Sequence, residues 1–359
     1  MVTARLPWFA NLWEERPSWV VLVPMPDLPR LAGRTVLVTG GAGFIGSRLA
    51  AHLLEAGARV IVADDLSGGL ARRLAPDPRL SFRPLDVTAP GAVSGLLGEE
   101  GDVDTIVHLA ARVGVRRVLA DPEGCWSDHL AGGRELLAAI DARPAHSRPR
   151  VLAASTSEVY RDQPGPLGEG AALRSLGGRG RWAYAASKLA VERLLDACAD
   201  LWPAGRGPIH LRFFNVVGPG QDASSGMVLP TFVEQALAGQ PLTVHGDGTQ
   251  ARTFAHVDDV AADLVRLLAL EDAPAGPLNL GGAARATVAE LARLVADRVG
   301  SGEIDVIHTD PERTVSPQFQ EVQHREPDLG RARALGLGCG VRDLSSIIAD
   351  TVERHPTPT

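Results

Sequence analysis

Hydrophobic positions change period several times in the first part of the chain. Thr35-Val-Leu-Val-Thr39 is an apolar run of strand length, Phe44 to Ala56 carries apolar residues at helical spacing, and Arg59-Val-Ile-Val-Ala63 is strand-like again. This is a βαβ unit. Later apolar runs at 80–85, 103–109, 150–155 and 209–214 alternate with helical stretches near 88–98, 125–142 and 182–201, which predicts an α/β fold with a doubly wound parallel sheet. A first domain is expected over 31–215. A helix near 257–271 and a strand near 277–281 are expected to return to it, so that 256–282 belongs with the first domain. Residues 216–255 and 283–352, with loop signals at Gly218-Pro-Gly220 and Gly246-Asp-Gly248, read as a smaller C-terminal α/β lobe that binds substrate. Residues 1–30 hold three of the six tryptophans and five prolines with weak periodicity, and read as an appended arm. Residues 353–359 read as a tail.

Composition narrows the function classes. The 359 residues are 45% apolar and 22% charged, enough for a sizeable core. No run approaches the ~18 apolar residues of a membrane span, and Glu14 and Glu15 interrupt any leader-like segment. A cytoplasmic protein without a membrane partner is expected. Cys125, Cys198 and Cys339 form no paired motif, so neither a disulfide framework nor a metal site is expected. A net charge of −7 without a basic block argues against a nucleic-acid partner.

Thr39-Gly40-Gly-Ala-Gly43-Phe44-Ile45-Gly46 follows the first strand and opens the first helix. Glycines there let the backbone approach a pyrophosphate, and the helix start presents free N–H groups to the anion. Asp64 ends the second strand, where a carboxylate accepts ribose hydroxyls and repels a 2′-phosphate. The pattern predicts a Rossmann-type NAD site. Asp86 is expected either to cap the next helix or to hold the adenine.

Candidate chemistry follows from a compositional oddity: Lys188 is the only lysine, and Tyr160 and Tyr184 are the only tyrosines. Tyr184 and Lys188 are four residues apart on a predicted helix and so share a face. The ammonium, joined by the positive nicotinamide ring, is expected to favour phenolate and make Tyr184 a general base. Ser155-Thr156-Ser157-Glu158 lies where a strand ends, and strand ends line the crevice of such sheets.

With these motifs the chain resembles the extended short-chain dehydrogenase/reductases that modify nucleotide sugars, the NAD-dependent epimerase/dehydratases. The resemblance covers about 35–352 and includes Asp64-Asp65-Leu, His108-Leu109-Ala110-Ala111, Arg212-Phe-Phe-Asn215, Pro241-Leu-Thr243-Val244-His245-Gly and Arg252-Thr-Phe-Ala-His256-Val-Asp-Asp. It implies an NAD site that includes Gly40, Gly43, Phe44, Ile45, Gly46, Asp64, Asp65, Asp86, Val87, Leu109, Ala110, Ala111, Tyr184 and Lys188. It also implies a UDP-sugar whose C4 hydroxyl is oxidised beside Thr156 and Tyr184. Asn215 and Arg252 would meet the diphosphate, and Val113, Val228, Leu229, Thr243, Val244 and His245 the rest of the substrate. A homodimer built on the helix near 125–142 and the Tyr-Lys helix is implied as well. The chain departs from the family at Tyr160-Arg161, where Tyr-Gly is usual, at Gly218-Pro-Gly220, where Gly-Pro-Arg is usual, and at His129, where Asn is usual. His108 and His256 are expected to be supporting residues.

Within the family, a 4,6-dehydratase carries Thr-Asp-Glu at 156–158, and Ser157 removes its acid. Thr156-Ser157-Glu158 instead resembles the UDP-glucuronate decarboxylases. Gln320-Glu-Val-Gln-His-Arg325-Glu-Pro resembles the segment that gives them an arginine for the sugar carboxylate. The expected reaction oxidises C4, loses CO2 from the β-keto acid, and reduces or releases the 4-keto pentose. A UDP-sugar or UDP-uronate 4-epimerase and a non-catalytic NAD sensor are the alternatives.

Overall fold

The computed structural model describes residues 28–177, 180–300, 304–310 and 322–355. The expected arm up to residue 27, the end of the tail, and Gln320 and Glu321 lie outside them. Seven strands form one sheet in the order β10-β6-β5-β4-β1-β2-β3, with every pair parallel. They are β1 (Thr35–Thr39), β2 (Arg59–Asp64), β3 (Leu80–Pro84), β4 (Thr105–His108), β5 (Arg150–Thr156), β6 (Ile209–Phe213) and β10 (Gly276–Leu280). The strand order reverses between β1 and β4, and the crevice at that reversal opens at the strand C-termini.

Strand periodicity divides the core between the two faces. Val36 and Val38 point to one side of β1, where they meet Leu49 and Leu53 of α1 (Phe44–Glu55) and Leu264 and Val265 of α7 (Val257–Ala269). Leu37 points to the other. There Ile61 and Ile106 join it against Leu96 and Leu97 of α2 (Ala92–Glu100), Leu136 and Ile140 of α4 (Pro122–Asp141), and Val191 and Leu195 of α5 (Trp182–Ala197). Both faces are apolar because both are covered, as parallel sheets require. A short helix, α3 (Val115–Ala120), precedes α4.

The remaining elements build smaller sheets. Strands β7 (Val216–Val217), β9 (Ala251–His256) and β11 (Ala284–Thr287) form one, and β8 (Leu242–His245) and β12 (Val306–Thr309) another. Helices α6 (Val228–Leu237), α8 (Val288–Val299) and α10 (Leu344–Glu353) share an apolar cluster with them, and α9 (Gly330–Ala334) lies beside β10. His256 caps α7 and places Nε2 2.8 Å from Asp350 on α10, a position in the seam rather than in the crevice. No helix among the described residues is long and apolar enough to cross a membrane.

Candidate active site

A cavity of about 990 Å³ runs from the start of α1 to α6 and β8. Its floor at one end is the glycine turn. Gly40 has φ +67°, and a Cβ there would lie 2.6 Å from the Ala110 nitrogen, so the loops after β1 and β4 touch only because the side chain is missing. A Cβ on Gly46 would collide with the Gly40 carbonyl oxygen. Gly43, Phe44 and Ile45 complete this cavity wall. Gly43 is the extended N-cap of α1 and brings no capping side chain, which leaves the first N–H groups to a ligand.

Asp64 closes β2 on the same wall. Its Oδ2 accepts from Ala42 N at 2.9 Å and its Oδ1 from Leu66 N at 2.8 Å. Burial pushes this carboxyl up, against the pull of those two amides. Each oxygen keeps a second acceptor direction, and the set of glycine turn, open helix start and carboxylate fits an NAD. Asp65 and Asp86 reach the cavity rim and accept from Ser67 and Thr88 respectively. Asp86 therefore closes its own turn, and the expected helix-capping role falls to Gly91. Val87, Leu109, Ala110 and Ala111 lie along the same wall, with the exposed Val113 beyond them. His108 faces the cavity and shares a 2.9 Å hydrogen bond with Thr39 Oγ1. Burial, helped by the Lys188 charge, lowers its imidazole to about 3.

The reacting groups meet where β5 ends. Thr156, the last residue of the strand, lies beside the Tyr184 phenol, which rises from the first turn of α5. Ser157 and Glu158 follow in a single 3-10 turn whose Glu158 N–H donates to Thr156 Oγ1 at 3.2 Å. Lys188 is 4% exposed, and burial lowers its ammonium to about 8. In the chain alone, burial reinforced by the Glu158 charge raises the phenol, and Arg325 and Thr156 work against this. The cationic nicotinamide acts in the opposite sense when it is bound.

Glu158 carries the densest electrostatics of the cavity. Arg325 Nη2 lies 2.7 Å and Arg181 Nη2 3.3 Å from the same oxygen, Oε1. Burial pushes the carboxyl up, yet the two guanidiniums outweigh it and hold it at about 2. Two guanidiniums thus meet this one carboxylate, and neither arginine side chain is more than 11% exposed. Backbone pairing pins the Arg325 segment, because Leu167 N donates to Glu326 O and Asp328 N donates to Leu167 O. Arg181 escaped the sequence reading. Its signal was its place three residues before Tyr184, one helical turn along the chain.

At the other end, Asn215, Val228, Leu229, Thr243, His245 and Arg252 face the cavity. Asn215 holds φ +28° and donates from Nδ2 to Thr253 O. Val244 does not line the cavity. Along β8 the side chains alternate, so Leu242 and Val244 enter the apolar cluster beneath α6 and α8 while Thr243 and His245 face out of it. The expected contact from Val244 is thus replaced by its two neighbours. Arg73, Arg112, Arg116 and Arg117, unanticipated in the sequence, also reach the wall.

A parallel sheet with a glycine-turn dinucleotide cleft and a Tyr-Lys pair at the strand ends defines a nicotinamide-dependent oxidoreductase-type site. Residues 36–281 match the family described as NAD dependent epimerase/dehydratase family, and the chain belongs to it. Its cofactor is NAD. The chain is 28% identical over 303 residues to UDP-N-acetyl-alpha-D-glucosaminuronate decarboxylase of Bacillus cytotoxicus, covering 83% of this chain and 90% of that one. It is 32% identical over 307 residues to UDP-glucuronic acid decarboxylase 5 of Arabidopsis thaliana, with 83% and 82% covered. Among solved structures it resembles the UDP-glucuronic acid 4-epimerase from Bacillus cereus, with a TM-score of 0.77, 26% identity, and 89% and 98% of the chains covered.

Proposed function

We propose that this protein is an NAD-dependent decarboxylase of a UDP-linked uronic acid, UDP-glucuronate being the favoured substrate. The observation that carries the reading is the pair of guanidiniums on Glu158, 2.7 and 3.3 Å from one oxygen and in the same cavity as Thr156 and Tyr184. A guanidinium so placed can also grip a substrate carboxylate through paired hydrogen bonds. A neutral hexose brings none. The decarboxylase relatives support the same reading.

Bound NAD supplies a hydride acceptor for C4 of the sugar. Tyr184 takes the C4 hydroxyl proton while Thr156 holds that oxygen by a hydrogen bond. With C4 a ketone, the C6 carboxylate belongs to a β-keto acid. The C5–C6 bond breaks, its electron pair enters an enolate at O4, and CO2 departs. Thr156 and Tyr184 stabilise the developing oxyanion. Arg325, with Ser157, turns the carboxylate out of the ketone plane, so that the breaking bond overlaps the carbonyl. Glu158, ionised down to about 2, has no proton to give and instead orients the water that protonates C5. Asn215 and Arg252 fall to the diphosphate, and Val228, Leu229, Thr243 and His245 to the base and ribose. The product is a UDP-pentose or its 4-keto form.

A 4-epimerase of the same uronate is the second reading, favoured by the likeness to the Bacillus cereus UDP-glucuronic acid 4-epimerase. Mass spectrometry of the product from purified protein and UDP-glucuronate decides. Loss of the mass of CO2 is expected. An unchanged mass with C4 inverted replaces the proposal with the epimerase reading.

A further inference from the structure

His129 stands in the middle of α4, 4% exposed, with one face on the cavity. Its Nε2 lies 3.0 Å from the Arg112 backbone nitrogen, and its Nδ1 lies 2.8 Å from Ser187 Oγ. Ser187 Oγ in turn lies 2.9 Å from the Tyr184 carbonyl oxygen. A backbone N–H only donates and a carbonyl oxygen only accepts. Arg112 therefore makes Nε2 the acceptor, the ring proton sits on Nδ1, and Ser187 takes that proton's bond while giving its own to Tyr184. The series has one direction throughout. Burial, with the nearby Lys188 charge, holds the imidazole well below its ordinary value, so the ring stays neutral and keeps this tautomer. The ring also meets the Tyr184 ring edge-on, at 5.7 Å between centroids. The Cys125 thiol is more distant from Nδ1, at 3.9 Å, and does not alter the direction.

The two ends of this series matter because of where they lie. Arg112 belongs to the loop after β4, whose Leu109, Ala110 and Ala111 form the cofactor wall. Tyr184 and Ser187 belong to the first turns of α5. We infer that His129 is a positioning residue, a single-tautomer bridge that holds the cofactor-side loop and the Tyr184 helix in fixed register. The inference rests on Tyr184 as the acid–base group, which decarboxylase and epimerase readings share.

The test uses the different reach of two amides. An Asn amide extends about as far as Nδ1 and a Gln amide about as far as Nε2. His129→Asn thus keeps the Ser187 bond and gives up the Arg112 bond, and His129→Gln does the reverse. In full-length protein, the rate of C4 oxidation with UDP-glucuronate is followed by nicotinamide absorbance, and NAD affinity by calorimetry, which needs no turnover. His129→Leu is expected to slow oxidation by on the order of 10- to 100-fold, the usual scale for a small misplacement of reacting groups. His129→Asn should recover most of that rate while binding NAD several-fold more weakly. His129→Gln should keep NAD affinity and remain slow. KM for the sugar nucleotide should stay within about 2-fold throughout. Thermal melting identifies any unfolded variant, and if His129→Leu fails to fold, the contrast between Asn and Gln still decides. Asn and Gln variants that match each other in both measurements, or a folded Leu variant at wild-type rate, overturn the inference. Wild-type protein inert towards UDP-glucuronate counts against the proposed function instead, and the calorimetric contrast then judges the bridge alone.

Discussion

Arg325 and Glu158, separated by more than half of the first domain's length in sequence, meet at 2.7 Å inside the cavity. The pair joins the strand-end turn to a segment that contributes nothing to the large sheet. Arg181 reaches the same Glu158 oxygen, at 3.3 Å, so the carboxylate keeps a cationic partner if Arg325 turns to another anion.

Removing Arg325 should therefore damage uronate handling more than the fold. Arg325→Ala is expected to weaken UDP-glucuronate binding or slow CO2 release, while UDP alone binds normally. Glu158→Ala should spare binding and slow the steps after C4 oxidation. Single-turnover absorbance measured alongside CO2 release separates the two. Normal decarboxylation by both variants refutes the assignment.

The same trio sets a pH dependence. The folded Glu158 carboxyl lies at about 2, below its ordinary 4.5. The resulting stability is fully present above the ordinary value and fades as pH falls from there towards 2. No acid limb in turnover should trace to Glu158 above about pH 4. In Arg181→Met, burial loses part of its opposition and the carboxyl rises, so an acid limb should appear at higher pH than in wild type. Superimposable pH–rate profiles would speak against this.

Lys188 has the opposite sign. Its folded ammonium, at about 8, lies below the ordinary 10.5, so the charged form costs stability at neutral pH and the cost fades between about 8 and 10.5. Lys188→Met is expected to be more stable than wild type at pH 7, by about 3 kcal/mol on the scale of such shifts, and to lose most turnover. Melting curves at pH 7 and pH 10 check it, since the advantage should shrink at the higher pH.

Tyr184→Phe should fold, bind NAD and lose at least ~100-fold in turnover, the scale of a lost general acid–base group. Retained activity in a variant with a wild-type melt removes Tyr184 from the mechanism.

Asp64 should exclude NADP, because its buried carboxylate stands where a 2′-phosphate would arrive. Calorimetry with the two dinucleotides tests this, and equal affinities would contradict it. The resemblance-based expectation of a homodimer through α4 and α5, which pack on each other, is checked by light scattering at micromolar concentration. A monomer there rejects it.

The parallel sheet was legible because each strand is a short apolar run bounded by loops, and both faces are buried. Boundaries were less so. The helix expected at 125 begins at Pro122, since Asp121 caps it by accepting from Gly124 N and a proline fits the first helical position. That Asp-Pro signal was present and passed over. The helix expected to reach 201 ends at Ala197, and a 3-10 turn follows. Within the site, Thr156, Ser157, Glu158 and Tyr184 were readable from motif and strand position, whereas Arg181 and the His129 bridge depend on tertiary approach. Val244 came from the resemblance segment as a whole, whereas the alternation of β8 turns it into the apolar cluster. The upward push of burial on the Tyr184 phenol, which the charge of Lys188 and of a bound nicotinamide must offset, is invisible in the sequence.

The hydrogen bonds that tie Leu167 to Glu326 and Asp328 order events during synthesis on a ribosome. A nascent chain released as far as Lys188 already contains the hydroxyls, the phenol and the ammonium. It still lacks Arg325 and the residues that dock it, which follow 137 residues after Lys188. Under the proposed function, the residues for hydride and proton transfer are thus encoded ahead of the one that selects the anion. Recombination between the two stretches exchanges the second while leaving the first untouched.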